Sequence, residues 1–318
     1  SPGLGRVSAR SGTGPDSAWL TYKLSWKAID HQLCDGNQIE LYRKGQWLSK
    51  ELSGYGSNVG LSHHHNTMAL QNALPHDTYK GDLTSAGGVT FTAYQTGSQW
   101  PLGAVGDPQV LRRSLGHSDF VHVTGDATSL YNLQQNNLSA SDILHQSRSI
   151  VWLEPEHLVV YDRATSKSSG RFKRFWLNTQ TLATIEGGAP AISTGSLDDL
   201  GPAGTAINRF TGLVPPGGVV TTALVHPVVN KVAGPSPEQQ LFVTTLLPAQ
   251  VTIAASAHED LGSEPLLEDA MKFALKIEAT GGPKDARFLN VLQGADAGVA
   301  GISGISRVPS VSRIACVA

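Results

Sequence analysis

Short runs rich in β-branched and aromatic residues, each closed by a turn signal, recur along most of this chain and leave little room for any fold but a β fold. Trp19-Leu20-Thr21-Tyr22-Lys23-Leu24, Gln38-Ile39-Glu40-Leu41-Tyr42, Val89-Thr90-Phe91-Thr92-Ala93-Tyr94 and Phe120-Val121-His122-Val123-Thr124 all suit a pleated, half-buried surface. Residues 149–153, 158–161, 171–177, 219–225 and 240–246 continue the pattern. Gly54-Tyr55-Gly56, Gly87-Gly88, Pro155-Glu156 and Ser169-Gly170 punctuate it. Helical periodicity is confined to residues 266–277, where Leu267, Ala270, Met271 and Ala274 fit a 3.6-residue repeat. The end of that stretch alternates equally well, so a short helix or turn followed by a strand is expected there. Leu158-Val159-Val160-Tyr161-Asp162-Arg163 reads as a central strand buried on both faces.

The expected fold is all-β: a large antiparallel β-sandwich of the supersandwich type, with a smaller C-terminal β-sheet region. A soft boundary at Val214-Pro215-Pro216-Gly217-Gly218 divides residues 1–215 from residues 216–318, the second part expected to pack on the first. No repeat of fixed period is visible, which argues against a propeller or a solenoid. The 34 Gly and 17 Pro fit a loop-rich β protein.

Charge excludes some partners. With 24 Lys and Arg against 26 Asp and Glu, the net charge of -2 gives no case for nucleic acid or an anionic membrane surface. No apolar run approaches the length of a membrane-spanning helix, so membrane insertion is not expected. An acidic polymer would need a local basic groove, and Arg112-Arg113 and Arg171/Lys173/Arg174 are the local candidates. Cys34 and Cys316 lie too far apart in sequence to define a disulfide framework. Cys34 reads as a small buried hydrophobe.

Chemistry-bearing residues concentrate between Asp30 and Thr67. The stretch opens with Asp30-His31-Gln32-Leu33-Cys34-Asp35 and closes with Ser62-His63-His64-His65-Asn66-Thr67, so it holds four of the 11 histidines. If extended, His31, Leu33 and Asp35 share one face, as do His63 and His65. Imidazoles and carboxylates gathered on one face are the raw material of a metal site or of proton transfer.

This stretch resembles the C-terminal domain of heparinase II/III-like polysaccharide lyases. That family's pattern is roughly His-x-His-x-Asp-x-Gly-x-Phe-x-Leu-Tyr-x-x-Gly, then an acidic residue after a strand, then His-Asn-Thr. His31, Asp35, Leu41-Tyr42, Lys44-Gly45, Glu51 and His65-Asn66-Thr67 fall on it. Residues 148–155 with 158–163 look like the family's paired strands, and residues 5–11 with Ala18-Trp19-Leu20 like its first strand. The similarity extends over about residues 4 to 180. Leu33 stands where the family's second His would be, Asn37 where it has Gly, Ile39 where it has Phe, and Asn178 where many relatives carry a further His.

The resemblance implies cleavage of an acidic, uronic-acid-containing polysaccharide by β-elimination. It implies His31 as a catalytic residue, Asp35 and Tyr42 as substrate-binding residues, and Glu51 and His65 as ligands of zinc or another divalent metal. Leu33 cannot replace the missing ligand, so hydrogen bonding between His and carboxylate without a metal is the competing expectation. The resemblance also implies a helical toroid domain upstream of Ser1, a periplasmic or secreted location, and little activity from this chain by itself. Two other function classes compete: a non-catalytic carbohydrate-binding or structural module derived from such a lyase, and an unrelated metal-dependent β-sandwich enzyme.

Overall fold

The computed structural model describes residues 5–24, 33–52, 60–73, 96–100, 104–116, 119–135, 138–185, 189–192, 206–213, 219–225, 238–258 and 271–297. His31, the turn at Gly54-Tyr55-Gly56, the run at residues 89–94, the boundary at 214–218, the start of the 266–277 pattern and Cys316 lie outside the described residues.

The N-terminal strands β1 (Arg6–Arg10), β2 (Ala18–Lys23), β3 (Gln38–Arg43) and β4 (Gln46–Ser49) form a four-stranded antiparallel sheet in chain order. Lys44 and Gly45 both take positive φ, 45° and 86°, which suits the two-residue turn between β3 and β4. Alternation sorts the two faces. Ala18, Leu20, Tyr22, Ile39, Leu41 and Leu48 are buried, whereas Trp19, Thr21, Lys23, Glu40 and Tyr42 turn toward solvent.

The chain continues through β5 (Met68–Leu70), β6 (Gln109–Ser114), β7 (Phe120–Asp126), β8 (Leu133–Gln135), β9 (Leu138–Ala140), β10 (Ile143–Leu153) and β11 (His157–Ser166). Next come β12 (Lys173–Thr179), β13 (Thr184–Ile185), β14 (Ala189–Ile192), β15 (Ala206–Leu213) and β16 (Val219–Val225). The last are β17 (Gln239–Leu247), β18 (Gln250–Ala257), β19 (Phe273–Ala279) and β20 (Asp285–Asp296). Eight of them form one sheet in the order β13-β16-β17-β20-β11-β10-β7-β6, and six form another in the order β14-β15-β18-β19-β12-β5.

The result is an all-β antiparallel sandwich. Ile150, Trp152, Val160 and Phe288 of the eight-stranded sheet share one buried cluster with Phe175, Leu177, Ile253 and Ile277 of the six-stranded sheet. Leu20, Leu41 and Leu48 of the small sheet belong to the same cluster. Burial of each such side chain contributes about 1.5–3 kcal/mol. Among the described residues the two smaller sheets are the four-stranded N-terminal one and the two-stranded pair β8-β9. Strands beyond residue 216 enter both large sheets, because β17 pairs with β20 and β20 with β11, while β18 pairs with β19 and β19 with β12.

The strand at Leu158–Arg163 is central, between β20 and β10, but it is not buried on both faces. Leu158, Val160 and Asp162 point inward, Val159 and Tyr161 are half-covered, and Arg163 is exposed. Only one side of that sheet faces the core, so the near-continuous apolar run misled. Two glycines let the small sheet approach the large one closely. A Cβ on Gly125 of β7 would overlap the Tyr22 hydroxyl, and one on Gly294 of β20 would come within 2.6 Å of Leu48.

Candidate functional site

Asp35, Glu51 and His65 come together where the segment before β3, the end of β4 and the turn before β5 converge. Each offers a ligand atom, and those atoms lie within 4.8 Å of one another. His65 Nδ1 meets Glu51 Oε2 at 3.1 Å. Lys23 Nζ ion-pairs with Asp35 Oδ2 from the outward face of β2. Asp35 Oδ1 and His65 Nε2 are buried and, among the described residues, have no hydrogen-bond partner. An unpartnered buried polar atom costs about 1–3 kcal/mol, so two at one spot leave room for a further partner.

Electrostatics agree. Burial by itself pushes the Glu51 carboxyl up. The hydrogen bond with His65, the field of His65 and Lys23, and the Gln38 amide more than offset it, and the group settles at about 2. Glu51 is therefore a carboxylate at any ordinary pH. The donor set of two carboxylates and one imidazole fits a divalent ion that accepts oxygen and nitrogen ligands. Three protein donors can hold such an ion with water completing its shell, and Lys23 leaves Asp35 Oδ1 uncommitted.

The strand rule fails for the histidine triplet. Ser62–His64 is a turn of 3₁₀ helix, so His63 does not share a face with His65 by alternation. His63 and His64 are buried with ring centroids 3.9 Å apart, and His63 lies 6.1 Å from Trp176. Burial holds the His63 imidazole well below its usual range, aided by His258, His65 and Arg174. Cys34, Asp35 and Asn37 likewise precede β3 rather than extend it, and all three are buried. Cys34 Sγ donates to the Gln99 carbonyl at 3.0 Å, and burial pushes its thiol up and keeps it protonated.

Behind the cluster the motif is architecture. Asn66 Nδ2 donates to the Ile39 carbonyl and to Ser49 Oγ, both at 2.8 Å, and Asn66 Oδ1 accepts from the Asn178 backbone N–H at 2.7 Å. Three strands from two sheets are pinned by one side chain. Arg148 donates to the Asn37 carbonyl at 2.7 Å, to the Asn66 carbonyl at 2.6 Å, and through Nε and Nη2 to both oxygens of Asp162. Asn37 adopts φ 64°, a left-handed conformation that Asn tolerates better than most residues, which explains how it stands in for Gly. Its amide then binds Gln146 Oε1 at 2.8 Å.

Two residues of the neighbourhood had no sequence signal. Lys23 is one; only the pairing of β2 with β3 brings it to Asp35. His258 is the other. Its Nε2 lies 2.8 Å from Asn178 Oδ1, so an imidazole reaches the place from just beyond the end of β18, and burial lowers it to about 3. The basic run at Arg171, Lys173 and Arg174 is not a groove. Lys173 is buried, its Nζ held by Ser166 Oγ and the Pro283 carbonyl, while Arg171 pairs with Asp142 and Arg174 with Glu278. β12 is covered on both faces, so Lys173 and Arg174 are both taken into the fold. Arg112 and Arg113 on β6 are exposed and, with Arg6, line a cleft of about 330 Å³. Tyr42 lies on the outward face of β3, with its ring 5.7 Å from Trp19 and 5.2 Å from Trp47.

No family model matches the chain, and no curated protein sequence matches it. Solved structures do. A heparinase III aligns over 92% of this chain and 35% of its own, with a TM-score of 0.53 and 11% identity. The heparan sulfate lyase HepC mutant from Pedobacter heparinus aligns over 93% of this chain and 36% of its own, with a TM-score of 0.51 and 12% identity. The chain therefore has a heparinase-like fold and spans about a third of the length of the structures it resembles. Among the described residues no helix is long and apolar enough to cross a membrane.

Proposed function

We propose that this chain is the β-sandwich part of a polysaccharide lyase that cleaves an acidic, uronic-acid-containing glycan by β-elimination. One observation carries the proposal: Asp35, Glu51 and His65, the motif positions of the resemblance, form a cluster with two uncommitted buried atoms. In β-elimination a base takes the proton beside the sugar carboxylate and an acid protonates the leaving oxygen. The carboxylate must be neutralised for the carbanion-like state to form. Lys23 is the cation at this place, and Asp35 positions it. His31 is the proposed proton-transfer residue, Tyr42 contacts the glycan on the outward face, and an upstream helical domain completes the cleft. A divalent metal held by Asp35, Glu51 and His65 would fix the three side chains and neutralise their charge. Extracytoplasmic action, periplasmic or secreted, follows from a polymeric substrate.

The test is cleavage by the whole protein carrying this sequence. New unsaturated uronic ends are followed by ultraviolet absorbance across a panel of acidic polysaccharides, with His31→Ala alongside. Signal from one polymer that His31→Ala abolishes supports the lyase and the role of His31; no cleavage of any polymer overturns the proposal. A second reading, a binding module without chemistry, is favoured by the burial of His65, Asn66 and Thr67, which places that triplet in the fold rather than in a cleft. Acidic glycan binding without cleavage would support it.

A further inference from the structure

The outward face of the four-stranded sheet carries a row of side chains that the cluster at Asp35 does not use. Register puts Arg10 opposite Trp19, Trp19 opposite Tyr42, and Tyr42 opposite Trp47. One row thus crosses all four strands, and cross-strand neighbours project to the same side. The ring centroids are 5.7 Å apart for Trp19 and Tyr42 and 5.2 Å for Tyr42 and Trp47. Cations close both ends: the Arg10 guanidinium lies 4.8 Å from the Trp19 ring, and Lys50 Nζ lies 5.8 Å from the Trp47 ring. Trp47 is anchored against Leu52 and Met271, whereas Trp19 is 42% exposed. A large exposed indole at the end of an ordered row is a binding feature more than a packing one.

The same face leads to the cluster. Two residues along from the row stand Thr21 and Glu40, and two further on stand Lys23 and Gln38. At about 3.4 Å per residue, Lys23 lies roughly 14 Å from the aromatic row. Glu40 is the acid on these strands' outward face, and it accepts from Thr21 Oγ1 at 2.7 Å and Gln38 Nε2 at 3.3 Å. Arg6 and Arg10 lie on the same face, as does Lys23, which is ion-paired with Asp35.

We propose that Arg10, Trp19, Tyr42, Trp47 and Lys50 form a subsite for an acidic oligosaccharide. Sugar C–H faces would stack on the rings, and carboxylate or sulfate groups would meet the two flanking cations. The inference rests on the acidic-glycan reading above and assigns to it a distal grip on the chain leading into the cluster. The row supplies hold and register, and it takes no part in proton transfer.

Tryptophan fluorescence titration with size-defined heparan sulfate, alginate and polygalacturonate oligosaccharides tests it, with neutral cellohexaose as control. Trp19→Ala should weaken binding of an acidic probe by about tenfold or more, and Trp19→Phe should restore most of it. Arg10→Ala with Lys50→Ala should weaken binding and flatten its salt dependence. Trp19 and Arg10 are surface groups, so unchanged thermal unfolding certifies the variants. Acidic binding undiminished by Trp19→Ala and Trp47→Ala would overturn the subsite and leave the acidic-glycan reading standing. Preference for the neutral probe would overturn both. Binding of no probe would overturn the subsite, and the cleavage assay would then judge the lyase by itself.

Discussion

Two charge clusters involve the same motif, one fully buried and one partly so, and they differ in how completely their hydrogen bonds are made. Around Arg148 and Asp162 every charged atom is used: both carboxylate oxygens accept from the guanidinium, and its remaining arm caps the Asn37 and Asn66 carbonyls. Both side chains are 0% exposed. Burial pushes the Asp162 carboxyl up, and Arg148 pulls against that shift. Around Asp35, Glu51 and His65, Asp35 Oδ1 and His65 Nε2 have no partner among the described residues. The first cluster is closed and holds strands together. The second keeps two buried polar atoms without a partner among the described residues. Completeness of hydrogen bonding, more than burial or charge, separates architecture from site.

The largest expected effect falls on the closed cluster. Arg148→Met strands Asp162 and two backbone carbonyls, and should cost about 3–5 kcal/mol in denaturant unfolding. If it cost less than Asp35→Asn, the contrast between the clusters would collapse. Asn66→Ala comes next, because it orphans the buried Asn178 N–H and Ile39 carbonyl; about 2–3 kcal/mol is expected from the same measurement.

The pH dependence sharpens the picture at smaller amplitude. His258 settles at about 3, below its unfolded value near 6.5, so the unfolded chain binds the extra proton between those values. Its contribution is fully present above about pH 6.5 and is lost as pH falls toward 3. His63 shifts the same way. Glu51, lowered from 4.5 to about 2, adds stability that is present above 4.5 and lost as pH falls toward 2. The melting temperature should therefore decline on acidification from pH 6.5, and less steeply in His258→Gln; an equal slope would remove His258 from the account.

A metal prediction follows from the open cluster. The protein exposed to excess zinc and then dialysed should retain metal by elemental analysis and melt at a higher temperature, and Glu51→Gln should lose both. Retention unchanged in Glu51→Gln would place the metal elsewhere.

Much of this molecule was legible in its sequence. Local β-propensity located β2, β3, β7, β11 and β17; the first four largely alternate, whereas β17 is a continuous buried run rich in β-branched and aromatic residues. The triplet His65-Asn66-Thr67 stood out, but nothing local said that Asn66 pins three strands. Lys23 and His258 reach the neighbourhood only through strand pairing, which single-sequence spacing does not encode. The basic residues at 171–174 misled because a strand covered on both faces, and the turn before it, still read as charged when their partners, Asp142 and Glu278, lie far away in sequence. The aromatic row is invisible until register aligns Trp19, Tyr42 and Trp47.

The most direct test compares stability and cleavage in one variant, Asp35→Asn of the whole protein carrying this sequence. The open cluster predicts a melting temperature within about 3 °C of the parent, since Lys23 can turn to water, together with a loss of product formation of at least about tenfold. A collapse of stability like that of Arg148→Met, with activity falling only as the folded fraction falls, would show instead that Asp35 belongs to the architecture and would contradict the account.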